Sequence, residues 1–264
     1  MAAVGQPPDR VGAGHSHALY VHEHSLVHRM APEAKIVAAL GLVASIAITP
    51  RHAVWAFGLF AALIAALIAV SRIPPGFVAV RLAAVAPFIV FALFIPFVAG
   101  GETTEVAGVR VSVEGLWGAW NILAKAVLGA TVSVLLTATT EIADIIRGLG
   151  ALAVPPLFTS IASFMIRYLE LVADELGRMR TAMTARGYDP RWLSQARPIA
   201  TSAGALFVRS YERGERVHAA MLARGFNGVM PATGQRRASS AEWLTVAGVA
   251  MVAGAIAIAG LVAS

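Results

Sequence analysis

The sequence predicts an all-α polytopic membrane protein, with about five transmembrane helices plus long amphipathic helices on the cytoplasmic side. Three observations lead there. Of 264 residues, 58% are hydrophobic and only 14% charged, against roughly 45–50% and 25% in soluble domains. The apolar residues are gathered in runs near the ~20 residues that a spanning helix needs. Ahead of the last run lies a charged stretch, residues 141–242, with helical periodicity. This composition excludes a disordered chain, a nucleic-acid-coating tail and a typical soluble enzyme. The chain has no cysteine, which excludes disulfides, thiolate zinc sites, iron–sulfur clusters and thiol catalysis.

The spans follow in order. Residues 36–50 form a short run whose first turn, with Glu33 and Lys35, starts at the headgroups. Residues 53–71 follow after only Arg51 and His52, a tight hairpin. Residues 82–101 are uncharged and contain Pro87 and Pro96. Residues 115–140 form a long run with one charge, Lys125. Residues 243–264 close the chain, with Trp243 at the position of an interface anchor.

A sixth run, residues 148–166, is also apolar, but Pro155-Pro156 would break a helix at mid-membrane depth. Positive charge decides its placement. With five spans and the N-terminus inside, the inner segments hold Arg10, Arg29, Lys35, Arg72, Arg81 and thirteen arginines from Arg147 to Arg237. The outer segments hold only Arg51 and Arg110, beside the acids Glu102, Glu105 and Glu114. A sixth crossing would carry nearly all of those thirteen arginines outside, against the positive-inside rule. The run is therefore expected to be a helix in or under the inner leaflet, covered by the other helices. The net charge of +6 then reports orientation rather than a nucleic-acid partner. Residues 1–30 are polar and carry no signal-peptide h-region. The expected organisation is a cytoplasmic His-rich tail (1–30), a four-span region (31–140), a cytoplasmic helical region (141–241) and a final span (242–264), with the C-terminus extracytoplasmic.

Within the cytoplasmic region, Leu157, Ile161, Phe164, Tyr168, Val172, Leu176, Met179 and Met183 recur at helical spacing. A second stripe runs through Ile199, Ala203, Leu206, Tyr211, Val217 and Met221, with Pro198 suited to its first turn. Both stripes end alike. Residues 182–189 read Ala-Met-Thr-Ala-Arg-Gly-Tyr-Asp, and residues 220–227 read Ala-Met-Leu-Ala-Arg-Gly-Phe-Asn. Gly187 and Gly225 suit the left-handed position that terminates a helix, and Tyr188 and Phe226 would pack back on Met183 and Met221. Arg186 and Arg224 fall at the C-cap, where a cation suits the helix dipole. Two well-capped helices would explain most of this pattern. The repeated Ala185-Arg186-Gly187 and Ala223-Arg224-Gly225 also fit two helix tips that enter a partner's grooves and present a guanidinium to carboxylates there.

On these residues the sequence resembles the transmembrane T component of energy-coupling factor transporters, in particular the cobalt-type component CbiQ. The same resemblance runs through Met165 to Tyr168 with Glu175 downstream, and through Arg209 to Arg213. It also takes in Thr140-Glu141 through Pro155-Pro156, and Ser25 to Arg29 with Pro32. It implies a non-catalytic subunit with no cofactor. Two ATP-binding-cassette ATPase subunits would hold its coupling tips at Arg186 and Arg224, with Gly187 and Gly225 turning the chain. A separate substrate-binding membrane subunit would sit on the amphipathic faces. Cobalt or nickel import is the expected role; a vitamin such as biotin is the alternative cargo, and a self-contained channel or carrier the alternative class.

The remaining features are weighed beside this. His15, His17, His22, His24 and His28 have metal-ligand spacings. In this topology they form a solvated tail, with transient binding of imported metal as the other reading, and no metal site is assigned. Lys125 should face protein, sharing a face with Asn121, because a charge is costly in lipid. Asp144 and Arg147 suit a local ion pair. No Walker loop and no nucleophile set is present, so ATP hydrolysis must come from another chain.

Overall fold

The computed structural model describes residues 25–100, 103–106, 109–189, 196–228 and 237–263. Of the histidine-rich tail, His15, His17, His22 and His24 lie outside the described residues.

The chain is an all-α polytopic membrane protein. Its helices are α1 (Leu26–Arg29), α2 (Pro32–Ile48), α3 (Val54–Ser71), α4 (Pro75–Leu82), α5 (Ala86–Val98), α6 (Val113–Thr139), α7 (Ile142–Ala151), α8 (Pro156–Ala185), α9 (Arg197–Ala223) and α10 (Ser240–Val262). A 3-10 turn, Ala83–Val85, joins α4 to α5. Among the described residues the departure from helix is an antiparallel hairpin, β1 (Thr103–Val106) with β2 (Val109–Ser112), which carries the chain from α5 into α6. Ser112 caps α6, its hydroxyl accepting from the Gly115 amide at 3.2 Å.

Among the described residues five helical stretches are long and apolar enough to cross a membrane: Val54–Ser71, Pro75–Val98, Val113–Thr139, Pro156–Ala185 and Ser240–Val262. The number matches the expectation, but the membership differs in two ways. Helix α2 has 17 residues with Glu33 and Lys35 in its first two turns, and falls just short. Helix α8 qualifies, because its apolar first half is continuous with a charged second half. The run 148–166 is also not one helix. It is divided between α7 and α8 by the turn at 152–155, where Ala153 takes φ 64° and Pro155 precedes the first residue of α8.

The described residues fall into two compact units, one within Leu19–Leu152 and Arg236–Ser264, the other within Ala153–Gln235. The core of the first is apolar. Leu42 and Ile46 of α2 meet Phe57, Phe60 and Ile64 of α3, Leu128 and Val132 of α6, and Ala253 and Ala257 of α10. Helix α5 instead exposes Phe88, Phe91, Leu93, Phe94 and Phe97, a surface that suits hydrocarbon. Helix α7 lies close on α2. A Cβ on Gly148 would meet Ile36 Cδ1 at 2.9 Å and the Glu33 nitrogen at 3.0 Å, so only glycine fits there.

Charged residues at the helix ends of this unit are buried and matched to backbone groups. Lys35 Nζ donates to the Thr139 carbonyl at 2.7 Å and the His28 carbonyl at 3.2 Å. Thr139 is the last residue of α6, so its carbonyl has no partner inside the helix. Glu242 accepts from the Ala31 amide at 3.0 Å and the Ser239 amide at 2.7 Å, completing a capping box at the start of α10. Glu33 accepts from the Ala238 amide at 2.6 Å. Burial pulls the Lys35 ammonium down to about 8, while Glu242 nearby acts in the opposite direction. Lys125 Nζ donates to the Ala47 carbonyl at 2.7 Å, near the end of α2, so its ammonium faces protein, and the buried Oδ1 of Asn121 accepts no hydrogen bond among the described residues.

Candidate functional site

Helices α8 and α9 build the candidate site. Proline occupies the first turn of each, Pro156 and Pro198, where its missing N–H is no loss. Three contacts set their direction. Met183 of α8 accepts from the Ser202 hydroxyl of α9 at 3.5 Å. Glu175 accepts from Arg209 at 2.9 Å and Arg213 at 3.5 Å. Phe164, Tyr168 and Val172 share a groove with Val217 and Met221. As α8 advances, its partners in α9 recede, so the pair is antiparallel. Phe164 and Tyr168 stack at 6.3 Å between ring centroids, one turn apart on the groove wall. At 1.5 Å rise per residue each helix is about 40–45 Å long. The ends at Gly187 and Gly225 therefore lie at opposite ends of the pair.

Both ends have the same backbone. At the first, Arg186 is the C-cap residue (φ −89°) and Gly187 follows at φ +77°. The Tyr188 amide donates to the Met183 carbonyl at 3.1 Å, and the Gly187 amide to Thr184 at 2.9 Å. At the second, Arg224 is the C-cap residue (φ −95°) and Gly225 follows at φ +83°. There the Phe226 amide donates to the Met221 carbonyl at 3.0 Å, and the Gly225 amide to Leu222 at 3.0 Å. This is the paired 6→1 and 5→2 bonding of a Schellman ending. A Cβ at either glycine would meet nothing within 4 Å, so the positive φ alone selects glycine.

Side chains at the two ends are disposed alike. Ala185, Arg186, Ala223 and Arg224 are exposed, while Met183, Tyr188, Met221 and Phe226 are half-buried. Each end thus presents an exposed guanidinium, flanked by a methyl-sized alanine, above a packed methionine and aromatic. Chemically this arrangement can pair with carboxylates in bidentate fashion. Elsewhere, Arg147 pairs with Asp144 one turn away. Among the described residues no group of three or more His, Asp or Glu is placed to hold a metal ion. In the other unit the sequence places Glu33 and Lys35 at the headgroups but names neither their backbone partners nor Glu242. Their only signal there is a charged residue bordering an apolar run.

Comparison with known proteins places the chain. It is 26% identical over 223 residues to the energy-coupling factor transporter transmembrane protein EcfT of Listeria innocua, covering 79% of this chain and 83% of that one. It is 34% identical over 108 residues to the cobalt transport protein CbiQ of Rhodobacter capsulatus, covering 40% and 43% of the two chains. It is also 34% identical over 99 residues to the nickel permease LarQ of Lactiplantibacillus plantarum, covering 37% and 36%. A family model described as cobalt transport protein, CbiQ, matches residues 23–234. The chain belongs to the CbiQ family of cobalt transport proteins.

Proposed function

We propose that this chain is the membrane scaffold of an ATP-driven importer for cobalt or nickel ion. It transmits motion from two ATP-binding-cassette ATPase subunits to a separate membrane subunit that binds the substrate. The observation that carries this reading is the pair of matched helix ends. Two exposed arginines, Arg186 and Arg224, stand at opposite ends of one antiparallel pair, each fixed by a glycine in the left-handed region. Such ends suit two separate acidic grooves on two partner subunits. The apolar groove faced by Phe164, Tyr168, Val172, Val217 and Met221 suits contact with the substrate-binding subunit. Relatives named for cobalt and nickel transport support the cargo.

The proposed topology keeps residues 141–241 and the N-terminus in the cytoplasm, and the C-terminus outside. Helix α8 stays at the inner face in this reading. Its uncharged part, residues 156–166, spans roughly 16 Å, while the hydrocarbon core is about 30 Å thick. Arg167, Glu170, Asp174, Glu175, Arg178 and Arg180 follow at once. ATP binding and hydrolysis in the ATPase subunits would move the two tips. The stiff pair α8–α9 would carry that movement to the substrate-binding subunit, which reorients and releases its ion inward.

The test is Arg186→Ala combined with Arg224→Ala. Uptake of radiolabelled cobalt should fall and the ATPase subunits should dissociate in a mild-detergent pull-down, while the protein still inserts. Normal copurification and uptake by the double variant would overturn the assignment.

A further inference from the structure

The end of α8 does not stand alone. The first turn of α9 lies beside it, and together they wall an open cleft of about 600 Å³. From α8 and the residues after it come Met183, Arg186 and Tyr188; from α9 come Arg197, Pro198 and Ser202. Two guanidinium groups thus line one concavity, and among the described residues that line it none is acidic. Both arginines are exposed, and neither forms an ion pair among the described residues. Two like charges on one concave surface repel, and an anion between them converts that repulsion into attraction.

The wall that carries Arg197 is well fixed. Pro198 sets the backbone at the start of α9. The Thr201 hydroxyl donates back to the Arg197 carbonyl at 3.0 Å. On the other wall, Met183 holds Arg186 in register. Its carbonyl accepts from both Arg186 (3.0 Å) and Tyr188 (3.1 Å), and its sulfur accepts from the Ser202 hydroxyl at 3.5 Å across the cleft. The cleft is therefore a built surface, with its two cations delivered by different helices.

We propose that Arg197 joins Arg186 in gripping a single carboxylate side chain of an ATPase subunit at the first tip. The first tip is then a two-arginine site. This inference rests on the coupling role proposed above, and adds to it a residue outside the Ala-Arg-Gly repeat. Arginine suits the task because its planar fork meets a carboxylate oxygen pair without losing much freedom. Two forks from different directions would select an acidic side chain that enters the cleft end-on.

The experiment uses the whole complex, solubilised in mild detergent, and measures ATPase-subunit retention and transport for Arg186→Glu, Arg197→Glu, Arg224→Glu and their pairs. Arg197→Glu should cut retention about tenfold, the scale of losing one paired interfacial charge. Arg197→Gln should give a smaller loss, and Arg197→Lys should keep most of the binding. Arg186→Glu with Arg197→Glu should lose less than the product of the two single losses, because both residues serve one carboxylate. Arg197→Glu with Arg224→Glu should multiply, because the sites are separate. Hydrogen exchange across α8 and α9 should be unchanged in Arg197→Gln, so a loss there reports the interface and not the fold. If Arg197 variants retain the ATPases fully while Arg186→Glu loses them, the two-arginine site is wrong and the coupling role stands. If Arg186→Glu and Arg224→Glu also retain them, the coupling role itself falls. A loss that follows the anionic lipid content and spares ATPase retention would also overturn the proposal.

Discussion

Glu175 of α8 and Arg209 of α9 meet at 2.9 Å although 34 residues separate them in the chain. Arg213, one turn further along α9, adds a second contact to the same carboxylate at 3.5 Å. The carboxylate is buried while Arg209 is largely exposed. One acid therefore ties two successive turns of α9 to α8.

Replacing Glu175 with Gln should loosen the pair without unfolding either helix end. Amides in the middle of α9 should exchange with solvent faster than in the parent protein, while those of α2 and α10 stay unchanged. Glu175→Arg combined with Arg209→Glu should recover part of the protection. Equal exchange in Glu175→Gln and the parent would show that apolar contacts alone align the helices.

Gly187→Ala and Gly225→Ala should each destabilise a helix end by about 1 kcal/mol, the penalty of a Cβ in the left-handed region. The added methyl meets no neighbour at either site, so the effect is confined to the backbone. The Tyr188 and Phe226 amides should lose roughly fivefold in exchange protection. Unchanged protection would mean that the Schellman bonds do not need glycine.

Lys35 makes stability depend on pH in a defined window. Its folded-state value is about 8 against an ordinary 10.5, and it lies ahead of the apolar run that begins at Ile36. Between those two values the unfolded chain binds a proton that the folded chain lacks, so stability should rise with pH across the window. Below about 8 both states are protonated and the penalty of the buried charge is present in full. Thermal unfolding in detergent, compared with Lys35→Met, should show the parent gaining on the variant from pH 8 upward. A constant difference across that range would rule out burial as the controlling effect.

Glu242→Ala should lower the unfolding temperature of the detergent-solubilised protein. It removes the capping box of α10 and leaves the buried Ala31 amide without its acceptor. The loss of a buried acceptor is worth roughly 1–3 kcal/mol. Glu33→Ala should act in the same direction through the Ala238 amide. A neutral result for both would mean that water replaces the carboxylates at these positions.

The helices of the candidate site were legible because their endings are local. Met183, Arg186, Gly187 and Tyr188 carry their instructions within six residues, and the repeat at Met221 to Phe226 restates them. The apolar runs of α3, α6 and α10 were legible from composition for the same reason. Partners across the fold were not. Lys125 is expected to face protein, and it does, but the group it meets, the Ala47 carbonyl 78 residues away, is not named by the sequence. Lys35 takes the Thr139 carbonyl and Glu33 the Ala238 amide. Every residue has such backbone groups, so no residue type marks which one will be taken. The run 148–166 misled in a different way. It was expected to be one helix although Pro155-Pro156 marks a break inside it, and the structure puts the boundary there, with Ala153 in the left-handed region.

The antiparallel setting of α8 and α9 has a consequence in symmetry. Two helices that run in opposite directions and finish in matching six-residue endings are related by an approximate two-fold axis through the middle of the pair. A half-turn about that axis carries Arg186 towards Arg224 and Gly187 towards Gly225. A single copy of this chain can thus face a two-fold-symmetric dimer and offer each half an equivalent end. Residues outside the repeat, such as Arg197, break that equivalence and give the two halves a means of being told apart.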